Sequence, residues 1–415
     1  MGADEIHRIA IIGANLAGGR AAEALRSAGY DGEIVLIGEE RIAPYERPPL
    51  SKDVLVNKGE KPEGFFLNSD DFYQSNRIDI RLGVRAEKLS TANRSVVLST
   101  GEEIAFDRAI LCTGARARKI NCPGANLENV FYLRTLEDAK ALLGVLKPGA
   151  RLGLIGMGVI GAEVAASVRK IGCEVFAVEP QEVPMARGLG ERFGAWLSRI
   201  HAEEGVHLRL GVGVEKIIGA NDKAAGLLLT DGSAVDVDAV LVGIGVIPNT
   251  EIVKGTGVEI NNGIVVNEFA QTTAPEIYAA GDVAFAPQIS GSMARVETYQ
   301  NAQDQAVTAV RSLLGDSDPY LQPQWFWTDQ YDMNIQVIGD VVTTDGVSIV
   351  VRGDPDSRCF SAFWLQECRL KGAMTVNTPK DMSSARRMLQ RDLPLNANLL
   401  ADCQTPLREI LRNAK

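Results

Sequence analysis

Gly13 and Gly156 each open the same kind of unit: an apolar strand, a glycine turn, a helix, and a second apolar strand ending on a carboxylate. No other feature constrains the fold as tightly. Residues 8–13, RIAIIG, form the short apolar run expected of a buried parallel strand. Gly13-Ala14-Asn15-Leu16-Ala17-Gly18 follows, then the helical stretch GRAAEALRSAG and a second apolar run, Glu33 to Ile37. Glu39 lies 21 residues past Gly18 (39 − 18), near the ~20 expected for a carboxylate that meets an adenosine ribose. In the second unit RLGLI leads into Gly156-Met157-Gly158-Val159-Ile160-Gly161, the helix AEVAASVRKIG and the strand Glu174 to Val178. Glu179 follows 18 residues past Gly161 (179 − 161).

The chemistry of such a turn is specific. Its first glycine permits the sharp exit from the strand, and its last lets the helix lie close to the strand. The helix N-terminus offers free N–H groups and a partial positive charge to a pyrophosphate. The second unit carries all three glycines. The first has Asn15 at the middle position, where a side chain crowds the pyrophosphate unless it turns away; asparagine tolerates unusual backbone angles better than most residues. Taken alone, the first unit can also be read as a plain glycine-containing βα turn. Glu179 also bears on cofactor choice, because a carboxylate there bonds the 2′-hydroxyl of NAD and repels the 2′-phosphate of NADP. No arginine stands directly beside it, so NADH is expected over NADPH.

Composition narrows the function classes. A chain of 415 residues is too long for one ordinary core and points to two or three domains. A formal net charge of −10 argues against a broad nucleic-acid-binding surface. Three scattered histidines (His7, His201 and His207) suggest no metal site. The six cysteines, Cys112, Cys122, Cys173, Cys359, Cys368 and Cys403, form no CxxC and are expected as buried, reduced thiols. The opening Met1–Arg8 has no signal-peptide pattern, and no apolar run reaches the ~18 residues of a membrane span, so a soluble cytoplasmic protein with no membrane partner is expected.

Further motifs carry a family resemblance. Ala43–Lys52 reads APYERPPLSK, and Leu111–Ala115, Ile277–Val283 (IYAAGDV) and Gln324–Tyr331 (QWFWTDQY) follow in order. Together they resemble the FAD-dependent NADH:ferredoxin reductases that serve bacterial aromatic-ring dioxygenases and some cytochromes P450. The resemblance implies an α/β fold with two Rossmann-like domains, like glutathione reductase but without its redox disulfide, and a small α+β C-terminal domain. The FAD domain is expected over 1–116 and 247–321, the NAD domain over 117–246, and the C-terminal domain over 322–415 after a turn-rich linker at 315–323. Strands are expected at 333–338, 347–352 and 359–376, and helices at 380–391 and 405–413.

The same resemblance assigns roles. The first turn (Gly13, Asn15, Leu16, Ala17, Gly18) and Glu39 would bind FAD. Arg47 and Lys52 would lie along the flavin, Thr113 and Gly114 would cap the crossover, and Arg134 would reach the FAD. Val84, Gly245 and Val283 would add contacts, Asp282 would bind the ribityl chain, and Glu297 and Trp327 would line the rim. The second turn (Gly156, Gly158, Val159, Ile160, Gly161) and Glu179 would hold NADH. Lys52 and Glu163, the two candidate catalytic residues, would pair beside the flavin and tune charge at its reacting edge. The plainer reading makes Lys52 a surface lysine, Glu163 a helix-dipole partner and Trp327 core.

The implied reaction passes hydride from NADH to FAD, then single electrons to a ferredoxin, of two-iron two-sulfur or Rieske type, that feeds a terminal oxygenase. Arg116, Arg118, Lys119, Arg295 and Arg311 are candidates for a basic ferredoxin-docking patch, with solvated surface charge as the bland alternative. A P450 reductase, an NADH oxidase or quinone reductase, and an NADH-sensing flavoprotein with a binding role stay open. So does a monomer or homodimer. The chain has no CxxxxC or CxxC pair and no cysteine in APYERPPLSK, which separates it from disulfide reductases and peroxidase-type relatives.

Overall fold

The computed structural model describes residues 6–316, 318–343 and 345–413. Most of the opening segment read for a leader, residues 1–5, lies outside them. The chain divides into two compact units, residues 1–46, 63–116 and 246–324, and residues 47–62, 117–245 and 325–415.

The first unit is built on a five-stranded sheet in the order Ile277–Ala279, Arg108–Leu111, Arg8–Ile12, Glu33–Gly38, Ile78–Leu82. Every pairing is parallel. The apolar runs are continuous because both faces are covered. Ile9, Ile11, Leu36 and Ile110 pack under the helices Leu16–Ser27 and Tyr299–Leu313. Ala10, Ile12, Val35, Ile37 and Leu111 face the other way, with Leu89, Val96, Leu98 and Ile104 of a three-stranded antiparallel sheet. Full burial of a residue such as Leu36 stabilises by about 1.5–3 kcal/mol, and truncation to alanine costs about 2–5 kcal/mol once the cavity is included. From Arg8–Ile12 the chain winds to Glu33–Gly38 on one side, while Arg108–Leu111 flanks the other. Strand order therefore reverses where Gly13 and Thr113 leave the sheet, the point at which open α/β sheets bind ligands.

The second unit repeats this plan: Val206–Leu210, Glu174–Glu179, Arg151–Ile155, Ala239–Val242, Val130–Phe131, again all parallel. Its C-terminal part is a five-stranded antiparallel sheet, Trp325–Gln330, Met333–Gly339, Arg369–Val376, Cys359–Gln366, Val347–Asp354, backed by helices Pro379–Arg391, Ala397–Ala401 and Leu407–Asn413. The stretch 359–376 is a hairpin of two strands, turning at Glu367 and Cys368, both in the left-handed region. An aromatic seam joins this sheet to helix Ala186–Glu203 inside the unit: Phe193 lies 5.4 Å from Trp364, and Trp196 lies 5.3 Å edge-on from Phe360. Segment 47–62, expected with the first half of the FAD domain, clusters with this second unit, where Pro48–Ser51 forms a 3-10 turn with proline at its start.

Candidate functional site

In the first unit, Gly13 and Gly18 are required by packing. A Cβ on Gly13 would lie 2.0 Å from the Cys112 carbonyl oxygen, and one on Gly18 would lie 1.8 Å from that of Gly13. Asn15 turns away from the crevice. Its Oδ1 accepts from the Gly18 N–H at 3.3 Å, and its Nδ2 donates to the Cys112 carbonyl at 2.5 Å. It is thus the N-cap of helix Leu16–Ser27 and a tie to the neighbouring strand. Helix geometry leaves the N–H groups of Leu16 and Ala17 as free first-turn donors. Glu39 stands exposed just past its strand, with the Arg85 guanidinium 3.9 Å away. The nearby Val84 N–H donates to Gly38.

Thr113 and Gly114 are clamped to Asn249: the Thr113 hydroxyl donates to its carbonyl at 2.7 Å, and the Asn249 amide N–H donates to Gly114 at 3.0 Å. Asp282 follows Gly281, where a Cβ would come within 3.2 Å of the Ala17 side chain. This close approach puts Asp282 beside the first turn. The Gly281 N–H is held by the buried Gln305, a residue sequence reading missed. Val283 is core. Glu297 pairs with Arg295 at 2.5 Å.

The second turn shares the packing but not the cap. Cβ atoms on Gly156 and Gly161 would lie 2.4 and 2.0 Å from the carbonyl oxygens of Gly243 and Gly156. Gly158 is exposed, a Cβ there would meet nothing within 4 Å, and no side chain caps helix Val159–Ile171. Ile160 is 42% exposed. The turn is therefore open to a phosphate-bearing group. Glu179 reaches back into it, accepting from the Met157 N–H at 2.7 Å and the Gln181 N–H at 3.0 Å. Met185, in a left-handed conformation, donates its N–H to the Met157 carbonyl at 2.8 Å. Gly245 is exposed and accepts from the Arg118 N–H.

About one turn into the same helix, Glu163 is 3% exposed and belongs to a charged cluster. Its carboxylate lies 3.5 Å from Lys52 Nζ and accepts from the hydroxyls of Ser51 (2.5 Å) and Thr328 (2.9 Å) and the Asp329 N–H (3.4 Å). The structure thus brings Lys52 and Glu163 together. The shorter partner of Lys52 is Asp329, at 2.8 Å. One Asp329 oxygen also accepts from the Trp327 indole N–H at 3.2 Å, and the other accepts from Asn334 at 2.6 Å. Burial pushes the Glu163 carboxyl above the usual range, against the pull of Lys52 and the hydroxyl donors. Burial opposes ionisation of Asp329 too, but its bonds from Lys52, Asn334 and Trp327 prevail and hold it below that range. Arg47 donates to the Arg134 carbonyl at 2.5 Å, just before the capped helix Leu136–Leu143.

Sequence reading passed over Asp329, Ser51 and Thr328. Asp329 and Thr328 sit inside the quoted motif QWFWTDQY. Strand alternation was the available signal, since Trp327 and Asp329 share one face and Thr328 and Gln330 the other.

Other expectations are corrected. Cys359, Cys368 and Cys403 are exposed: Cys359 starts a strand of the C-terminal sheet, Cys368 sits in its hairpin turn, and Cys403 lies between the helices Ala397–Ala401 and Leu407–Asn413. Cys112 is buried, and burial pushes its thiol up to about 12, which makes it inert. Of the candidate docking cations, Arg116 pairs with Glu251, Arg295 with Glu297, and Arg311 with Asp316 and Asp318, so these three are neutralised within their own unit. Lys119 lies 3.5 Å over the Tyr132 ring. Among the described residues no group of three metal-ligating side chains occurs, and no helix is long and apolar enough to cross a membrane.

Residues 7–306 match the family described as pyridine nucleotide-disulphide oxidoreductase, and residues 325–411 match the reductase C-terminal family. The ferredoxin–NAD(+) reductase component of the p-cumate 2,3-dioxygenase system of Pseudomonas putida is 40% identical over 407 residues, 98% of this chain and 99% of that one. The crystal structure of the ferredoxin reductase for the CYP199A2 system of Rhodopseudomonas palustris superposes with a TM-score of 0.92 at 35% identity, covering 97% and 99% of the two chains. The covalent putidaredoxin reductase–putidaredoxin complex gives 0.93 at 33% identity, covering 98% and 99%. Two doubly wound units, two glycine turns at their switch points and a C-terminal reductase sheet therefore have one explanation: the chain belongs to the pyridine nucleotide-disulphide oxidoreductase family.

Proposed function

We propose that this protein is an FAD-dependent NADH:ferredoxin reductase of an aromatic-ring dioxygenase system. Full-length similarity to ferredoxin reductases, C-terminal segment included, is the observation that carries this reading. The balance is NADH plus two oxidised ferredoxins giving NAD+, one proton and two reduced ferredoxins. FAD supplies the junction between a two-electron hydride donor and a one-electron acceptor.

The rest is the work of the chain. The Leu16 and Ala17 N–H groups would hold the FAD pyrophosphate, Glu39 would accept from its ribose hydroxyls, and Thr113, Gly114 and Asp282 would border it. The Cβ clashes at Gly13 and Gly18, with Asn15 folded back, support this fit. The open Gly158 and uncapped helix take the NADH pyrophosphate. Glu179, held by Met157 and Gln181, presents its carboxylate to the ribose and selects against a 2′-phosphate. Lys52, Glu163 and Asp329 set the charge at the nicotinamide end of the same helix. A cytoplasmic setting follows from the use of NADH.

The test is anaerobic titration with NADH, followed by cytochrome c reduction with and without a two-iron two-sulfur or Rieske ferredoxin. Bleaching of the flavin by one equivalent of NADH and ferredoxin-dependent cytochrome reduction are expected. Quinone reduction at equal rate without ferredoxin would instead select the quinone reductase reading. A preference of at least tenfold in kcat/KM for NADH over NADPH checks Glu179.

A further inference from the structure

Behind Glu163 lies a run of buried side chains that the reaction above does not use. Thr328 and Gln330 point inward from strand Trp325–Gln330, and His201 comes from helix Ala186–Glu203; their exposures are 0%, 1% and 0%. Gln330 Nε2 lies 3.1 Å from the Thr328 hydroxyl and 3.4 Å from the Met185 sulfur. Gln330 Oε1 lies 3.0 Å from His201 Nε2, and His201 Nδ1 lies 2.7 Å from the Tyr331 hydroxyl.

The donors can be assigned by elimination. A thioether has no proton to give, so the Gln330 atom facing Met185 must be its amide nitrogen. Its oxygen then faces His201, whose Nε2 must carry the proton. Burial pushes His201 down to about 4, so the ring is neutral and its Nδ1 accepts from Tyr331. With Gln330 Nε2 donating to it, the Thr328 oxygen turns its own proton to the Glu163 carboxylate, 2.9 Å away. Each donor in the run Tyr331, His201, Gln330, Thr328 therefore points toward Glu163.

We propose that Gln330 and His201 are positioning residues for Glu163: they lock the Thr328 hydroxyl as a donor, and so keep the Glu163 carboxylate charged and aimed at Lys52. The inference rests on the reductase reading only in that Glu163 is taken to act on the nicotinamide end. The charged groups that face Glu163 are Lys52 and Asp329. Those around Tyr331 are Arg169, Glu204 and Arg358, with Lys170 on its carbonyl. The Glu163 carboxyl is thus buried with one cation nearby, and loss of one hydroxyl donor shifts it upward by about one pH unit.

The experiment follows the Glu163 carboxyl by infrared difference spectroscopy on the purified flavoprotein without NADH, between pH 5 and 9, with Glu163→Gln as the spectral reference. Gln330→Leu and Thr328→Val are expected to raise its apparent pKa by about one unit, and Thr328→Ser to restore it. The pH profile of NADH-driven flavin reduction should move by the same amount, with KM for NADH changed less than twofold. If Gln330→Leu does not fold, the Thr328→Val and Thr328→Ser pair decides the matter. An unchanged carboxyl titration in folded Thr328→Val, or failure of Thr328→Ser to restore it, overturns the proposal. Absence of NADH-driven reduction in the unaltered protein overturns the reductase reading instead, and leaves the carboxyl titration to judge this inference.

Discussion

The two glycine turns start from nearly the same sequence pattern and end in different states. In the first, Asn15 fills the middle position, caps its own helix and ties to Cys112. In the second, Gly158 leaves that position empty, and support comes from outside the turn: Glu179 on the Met157 N–H, and Met185 on the Met157 carbonyl. The first turn is closed locally and is suited to a cofactor that stays bound. The second is open and suited to a substrate that enters and leaves. Equal geometry at the first and last glycines, with opposite solutions at the middle one, separates what a strand–helix junction needs from what the ligand needs.

The largest effect should come where the two turns agree. Gly18→Ala and Gly161→Ala each force a Cβ within about 2 Å of a backbone carbonyl, and each should cost about 3 kcal/mol or more, read as loss of soluble protein or a large fall in Tm. Equal, mild effects at both sites would break the packing argument.

A smaller effect should appear only beneath the second turn, where His201 supports Met185 through Gln330. The folded-state pKa of His201, about 4, lies below its ordinary 6.5, so its contribution is complete above pH 6.5 and is lost as pH falls toward 4. Between pH 7.5 and pH 5 that loss is about 2 kcal/mol in urea unfolding of the second unit, and it should vanish in His201→Gln.

The smallest effects distinguish the middle positions. Gly158→Ala has room in the fold, so Tm should hold within a degree or two while KM for NADH rises about tenfold from contact with the pyrophosphate. Asn15→Ala should do the reverse, costing about 1 kcal/mol of stability through the lost cap, with KM for NADH unmoved.

Much of this was legible in the chain. The strand–glycine–helix–strand order follows from local apolar runs and from backbone geometry only glycine accommodates, and both acids at the strand ends fell at the expected spacing. Lys52 and Glu163 could be named as a pair only through family resemblance, since no local pattern links residues 111 apart (163 − 52). The direction of the Asn15 side chain was not legible, because its partner, the Cys112 carbonyl, is 97 residues away. Exposure of three cysteines escaped composition for a similar reason: cysteine is usually buried, but these sit at turns and element ends of the C-terminal segment, two on its sheet and Cys403 between two of its helices.

By itself, then, the sequence determined the two doubly wound units, the positions of both turns and the carboxylates Glu39 and Glu179 near the ends of their second strands, because these rest on periodicity and backbone freedom within about 25 residues. Tertiary structure alone decided that Asp329 holds Lys52 more closely than Glu163 does, that three candidate docking arginines are already paired, and that Thr328, Gln330 and His201 line up on one carboxylate. Those outcomes depend on which side chains from distant segments share a buried space, where an unmet hydrogen bond costs about 1–3 kcal/mol and each donor must therefore find its acceptor.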